Sequence, residues 1–142
     1  MAGIIVGVDG SEHSRRALAW AMREAAHHQV PLMVMTIHPE PVRPATNIYW
    51  PVPEYSQNDS DLKLAQMAVR ELVDKTDIGQ AAPAITVNVF RGDAAAELVR
   101  ASKEADMIVV GTRGSGGFSR LVMGSVSTKV THHAACPVVV VP

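Results

Sequence analysis

What this chain has little of narrows it more than what it has in abundance. It carries one cysteine, Cys136, so an intramolecular disulfide is excluded and a reducing compartment is expected. Neither sign of charge dominates: 13 lysines and arginines face 14 aspartates and glutamates, a net charge of −1. That balance gives no electrostatic footprint for DNA, RNA or an anionic membrane. No apolar run approaches the roughly 18 residues that a membrane-spanning helix needs. The opening MAGIIVGVDG has no basic leader and passes straight into a strand pattern, so no signal peptide and a cytoplasmic location are expected.

Several chemistries are missing as well. No G-x-x-x-x-G-K-[ST] occurs, which excludes a P-loop NTPase, and no G-x-S-x-G elbow is present. Residues 114–117 do not open a helix in the G-x-G-x-x-G register, so a dinucleotide fingerprint fails. His27-His28 and His132-His133 are adjacent pairs that point to different helix faces and read as surface histidines, not metal ligands.

What is present is an alternation of strands and helices within 142 residues, 47% of them hydrophobic, enough for one domain spanning 1–142 with a real core. Gly3 to Asp9 reads as a buried strand closed by the Asp9-Gly10 turn. Ser11 to Gln29 reads as a helix with Ser11 or Ser14 as cap and Leu18, Ala21, Met22 and Ala25 on one face. Leu32 to Ile37 is a second buried strand, and the βαβ unit makes the two strands parallel. Five prolines between 39 and 57, with Tyr49, Trp50 and Tyr55, break the pattern into a loop or flap. A helix resumes at Asp59, with Leu62, Ala65, Val69 and Leu72 on one face. Ile85 to Val89 alternates as an edge strand should. Asp93 caps a third helix lined by Ala95, Leu98, Val99 and Ser102. Met107 to Val110 is a fourth strand, Gly124 to His133 a last helix, and Val138 to Val141 a final strand. The order predicts an α/β, doubly wound parallel sheet with helices on both faces.

Between the fourth strand and the last helix lies Gly111 to Ser125, GTRGSGGFSRLVMGS, which holds five of the ten glycines. Glycine backbones let a ligand come close to their amides, and the first amides of a helix lack partners at the positive end of its dipole. The stretch therefore reads as a phosphate-binding loop; the alternative is a long, flexible connection. If strand 1 lies beside strand 4, Gly7 and Asp9 meet this loop at the carboxyl ends of the strands, where such sheets bind ligands. Asp9 is placed to accept from ribose hydroxyls or, alternatively, to cap the first helix. Arg113 and Arg120 suit phosphates or stand as solvated charges. Ser125 either adds a hydroxyl to the anion site or caps the last helix, with Ser127 in the same turn. Thr112 is expected to face solvent, His38 to end strand 2 near the crevice, and Cys136 to be a buried small hydrophobe.

With these residues in view, the chain resembles the universal stress protein family along its whole length. The family signature G-x2-G-x9-G-[ST] is met by Gly111, Gly114 and, after nine residues, Gly124-Ser125. The opening IIVGVDGS and the closing HHAACPVVVV are similar to that family too. The resemblance implies a five-stranded sheet of order 3-2-1-4-5 that binds ATP, with Mg as a possible companion and no resident metal site. It implies that Asp9 and Gly111 contact ribose, that Ile37 and Gly7 line the adenine pocket, and that Gly114, Gly124 and Ser125 contact phosphates. Gly116 and Gly117 fall in the wrapping loop. Relatives dimerise through the last strand, so a homodimer through Val138 to Val141 is implied; with one copy of the domain here, pairing would restore the tandem arrangement of many relatives. The signature places the chain with ATP-binding members, as a nucleotide-dependent regulator without catalytic residues. Three alternatives stand beside it: a binder of AMP or cyclic AMP, a slow ATPase or phosphotransferase using Asp9 and Ser125 or Ser127, and a ligand-free dimeric scaffold.

Overall fold

A computed structural model describes residues 3–38, 59–112 and 123–142. Along the chain run β1 (Ile4–Gly7), α1 (Glu12–His28), β2 (Leu32–His38), α2 (Asp59–Lys75) and β3 (Ile85–Arg91). Then follow α3 (Ala94–Ala101), β4 (Met107–Gly111), α4 (Ser125–His133) and β5 (Val138–Val141). The strands form one all-parallel sheet in the order β3-β2-β1-β4-β5. The expected doubly wound architecture and strand order are both observed.

The strand sequences explain the layering. Ile4, Val6 and Val8 point to a core shared with α1 and α2, whereas Ile5 points to a core shared with α3 and α4. In β4 Val109 joins the first core and Ile108 and Val110 the second. Successive side chains leave a strand on opposite faces, so a strand covered by helices on both sides is apolar at every position. The uncovered edge differs: in β3 only Val87 is buried. β3 runs two residues past Val89, because Phe90 pairs with Ile37 and Arg91 with His38.

The first helix shows how sequence sets position. Ser11 is its cap, accepting from the Ser14 amide at 3.2 Å. Ala17, Ala21 and Ala25 recur every fourth residue and are fully buried, which lets α1 lie close to the sheet, while Leu18 and Met22 fill the space between. Burying those two side chains contributes about 2 kcal/mol each. The helix stops at Gln29, which takes a left-handed conformation at φ 56°. At the far end of the sheet Gly3 and Asp106 clamp β1 to β4: the Asp106 amide donates to the Gly3 carbonyl and the Gly3 amide to the Asp106 carboxylate, both at 2.9 Å.

Candidate functional site

From β1 the chain winds outward through β2 to β3, then crosses back to β4 on the other side of β1. The strand order reverses there, so a crevice opens where the carboxyl ends of β1 and β4 diverge. Its walls come from the β1–α1 turn, the exit of β4 and the start of α4.

The β1–α1 turn is fixed by short-range bonds. The Val8 amide donates to the Met35 carbonyl at 2.9 Å, extending the ladder one residue beyond β1. Asp9 is exposed, and its Oδ1 accepts from the Ser11 amide at 2.9 Å, an Asx turn. Gly10 supplies the required positive φ of 84°. The Ser14 hydroxyl, buried, donates to the Ser11 carbonyl at 2.9 Å and accepts from the Asp9 amide at 3.3 Å. Of the three candidate caps, Ser11 does the capping; Asp9 shapes the turn before it and Ser14 braces it from within.

The exit of β4 is tied more tightly than its sequence suggests. Thr112, expected to face solvent, is half-buried and bonded through amide, carbonyl and hydroxyl. Its amide donates to the Val141 carbonyl at 2.8 Å, and its carbonyl accepts from the Ser127 hydroxyl at 3.0 Å and from the Gly124 amide. Its hydroxyl meets His13 Nδ1 at 3.1 Å. Gly111 and Gly124, the first and last glycines of the signature, are thereby drawn to one place. A Cβ on Gly111 would stand 2.8 Å from the His13 carbonyl carbon, so glycine is required for α1 to pack here.

At the start of α4 the cap position is Gly124, with no side-chain cap bond. Ser125 is therefore the exposed first residue of the helix and does not cap it. Ser127, expected beside it among the ligand-facing residues, is turned the other way. It is 2% exposed, and its hydroxyl is directed at the carbonyls of Thr112 and Gly124. It fastens the two ends of the glycine loop together.

On the α3 side of the sheet, Gly7 faces Leu98 at 3.1 Å from an imagined Cβ, and Ile37 packs half-buried against the second core. His38 is exposed at the end of β2, its carbonyl accepting from the Gly92 amide. Arg113, Gly114, Gly116, Gly117 and Arg120 lie outside the described residues, as does the 39–57 segment. Among the described residues no three histidine, cysteine or acidic side chains converge as a metal site. Cys136 is half-buried; partial desolvation pushes its thiol up, the backbone hydrogen bond of Ile108 pulls it down and the Asp106 carboxylate adds to the rise. A groove of about 510 Å³ between α2 and β3, lined by Leu62, Gln66, Val87 and Phe90 among others, shares none of the crevice residues. No helix among the described residues is long and apolar enough to cross a membrane.

Sequence reasoning missed His13. It follows Glu12 at the start of α1, and its partner lies 99 residues away, so no local spacing marks it.

A parallel sheet of this order, with a glycine-rich segment of sequence between β4 and α4, defines a doubly wound α/β domain. The chain belongs to the universal stress protein family, whose pattern it matches over residues 2–142. Universal stress protein Rv2624c of Mycobacterium tuberculosis is 34% identical over 140 residues, covering 99% of this chain and 48% of the relative. A Mycolicibacterium smegmatis universal stress protein is also 34% identical, over 98% of this chain and 47% of its own length. The chain thus spans about half the length of these relatives. Among solved structures, UspA from Lactobacillus plantarum superposes with a TM-score of 0.78 at 25% identity, covering 99% of this chain and 98% of its own. Two further universal stress proteins share the fold: one solved with cAMP (TM-score 0.66, 23% identity, 98% and 94% covered) and one from Archaeoglobus fulgidus solved with dAMP (0.64, 21%, 99% and 97%).

Proposed function

We propose that this chain is an ATP-binding regulatory protein, one nucleotide-binding domain over residues 1–142, that holds its ligand in the crevice between β1 and β4. The observation that carries this reading is the closure of the glycine segment on itself. Thr112 accepts from the Gly124 amide, so both ends of the G-x2-G-x9-G-S signature stand together beside a helix start whose cap residue, Gly124, makes no side-chain cap bond. Unpaired first-turn amides at the positive end of a helix dipole suit phosphate oxygens. Gly124 and Ser125 are assigned to the phosphates, with Gly114, Gly116, Gly117 and Arg113 completing the loop. Asp9 and Gly111 are assigned to the ribose, and Gly7 and Ile37 to the adenine pocket. Ser127 supports the loop from inside. Mg²⁺, where it accompanies ATP, would be held chiefly by the phosphates. The β5 edge, whose four valines are all half-buried, suits pairing with a second copy, and the proposed location is the cytoplasm.

The proposed output is binding, not turnover, and no residue is assigned a catalytic role. A second reading, a monophosphate or cyclic nucleotide as the resident ligand, is favoured by the cAMP and dAMP complexes of the structural relatives. Mass spectrometry of the small molecule released on denaturing purified protein tests both, together with calorimetric titration of ATP, ADP, AMP and cAMP onto stripped protein. ATP recovered, or bound far more tightly than AMP, supports the phosphate-reading loop. Equal affinities transfer selectivity to the adenine pocket, and no binding at all ends the nucleotide reading. Hydrolysis above buffer that disappears in Asp9→Asn would move the protein to the enzymes.

A further inference from the structure

We propose that the groove between α2 and the free edge of β3 is a docking site for an extended peptide segment of a partner protein, which joins the sheet as a sixth strand. The inference is independent of the nucleotide reading above and concerns the opposite edge of the sheet from β5.

β3 is the outermost strand, so only half of its backbone groups meet β2. Which half is fixed by two bonds: the Leu32 amide donates to the Ala84 carbonyl and the Gly92 amide to the His38 carbonyl, both at 2.9 Å. Successive residues of a parallel strand turn their N–H and C=O to opposite sides, so the even-numbered residues of β3 face β2. Ile85, Val87 and Val89 therefore direct theirs outward. One outward carbonyl has a partner, and it is a side chain: Gln66 of α2 donates its amide to Val87 at 3.3 Å. That bond is long, and it stands where the N–H of a neighbouring strand would stand. Among the described residues nothing meets the outward N–H or carbonyl of Val89.

Two further observations single this edge out. An edge strand is ordinarily blunted by proline, by charge or by a bulge; Ile85 to Phe90 carries neither proline nor charge and pairs with β2 without a bulge. The helical wall is apolar on its open side as well. Leu64 and Met67, 64% and 67% exposed, are the large hydrophobics left open among the described residues, and both lie on α2. Met67 is one turn on from Lys63, which lines the groove beside Leu62, so it adjoins the groove rim.

The groove's volume of about 510 Å³ falls within the roughly 300–1,000 Å³ of ordinary ligand clefts. It is a slot, because Gln66 reaching the edge carbonyl brings α2 over the flank of the strand. A slot admits one strand, whereas a second copy of this chain would bring a whole sheet with helices on both faces. Strand addition takes affinity from main-chain bonds and selectivity from alternate side chains. The incoming strand displaces Gln66 from Val87, bonds Val89 and sets every second side chain, an apolar one, against Leu62 and Val87. Lys63 favours an acidic residue at its flank.

The test is selection of a phage-displayed library of random heptapeptides on the full-length protein, followed by fluorescence titration of the synthesised winners. Each is titrated onto wild type, Val89→Pro and Gln66→Trp, with melting temperatures recorded for all of them. Val89→Pro deletes one outward N–H and leaves the ladder to β2 intact, a change that edge strands tolerate. Gln66→Trp, at an exposed position, fills the slot from the helix side without touching the core. It keeps the test open if Val89→Pro fails to fold. The expected winners alternate apolar and polar residues, carry no central proline, and bind either variant about tenfold more weakly, for Val89→Pro the worth of roughly one main-chain bond. Melting temperatures should stay within a few degrees of wild type. A selection that enriches nothing, or winners that bind both variants as they bind wild type, would overturn the proposal. So would self-association of the wild type that both variants abolish with no peptide enriched, which would give the edge to a second copy.

Discussion

Gly111 and His13 are packed so closely that the glycine has no room for a single carbon: an added Cβ would lie 2.8 Å from the histidine carbonyl carbon and 2.9 Å from its Cβ. The obstacle is mostly helix backbone, which cannot rotate away. Gly111→Ala should therefore destabilise the protein by about 1–3 kcal/mol, the usual cost of overpacking. At Gly7 the added atom would meet the tip of Leu98 at 3.1 Å, and a side chain yields more readily. Urea denaturation of both variants should rank Gly111→Ala as the more damaging; the reverse order would refute this packing account.

Two serines two residues apart should behave in opposite ways. Ser127→Ala removes a buried hydroxyl that fastens Thr112 to Gly124, and should lower stability by about 1–2 kcal/mol. Ser125 is exposed and caps nothing, so Ser125→Ala should leave the melting temperature almost unchanged while weakening ATP binding. Thermal melts and calorimetric titration separate the two. Equal losses of stability would show that Ser125 has a structural role.

Asp9→Asn is the substitution that tests the proposed ribose contact. Asn retains an Oδ1 that can accept from the Ser11 amide, so the Asx turn and the fold should survive. What changes is the charge offered to sugar hydroxyls. Binding of ATP should weaken by roughly tenfold, in keeping with about 1.5 kcal/mol for a charged hydrogen bond, and 2′,3′-dideoxy-ATP should be affected far less. Equal losses for the two ligands would sever Asp9 from the ribose.

Cys136 should alkylate slowly. Its thiol is pushed up chiefly by partial burial, so less thiolate is present at neutral pH than on a free cysteine. The rate of iodoacetamide reaction plotted against pH should have its midpoint above that of the unfolded protein. The linked effect on stability has a definite sign. With the folded-state value raised, the thiol's contribution is complete below the unfolded value and is lost as pH climbs through the window between the two. Cys136→Ser should flatten that alkaline decline.

Much of this was legible in the sequence, for identifiable reasons. Strands covered on both faces betray themselves as unbroken apolar runs, as in Ile4 to Val6 and Ile108 to Val110, and Ser11 announced its helix because a cap acts within three residues. The signature glycines could be found because their spacing is local. The role of Thr112 could not, because its partners are His13, Gly124, Ser127 and Val141, three elements brought together only by the sheet order. A polar residue after a buried strand looks the same whether it meets water or a histidine 99 positions earlier. Ser125 and Ser127 were likewise indistinguishable until the helix start fixed which of them points inward.

The position of β1 between β2 and β4 also governs when the crevice is complete. β1, α1 and β2 are consecutive and can associate while the rest of the chain is still being synthesised, but the clamp from Gly3 to Asp106 joins residues 103 positions apart. The crevice has only one wall until β4 docks, and Thr112 has no β5 carbonyl to bind until Val141 has left the ribosome. Trimming β5 should therefore loosen the exit of β4, where Thr112 is held, before it unfolds the rest of the sheet.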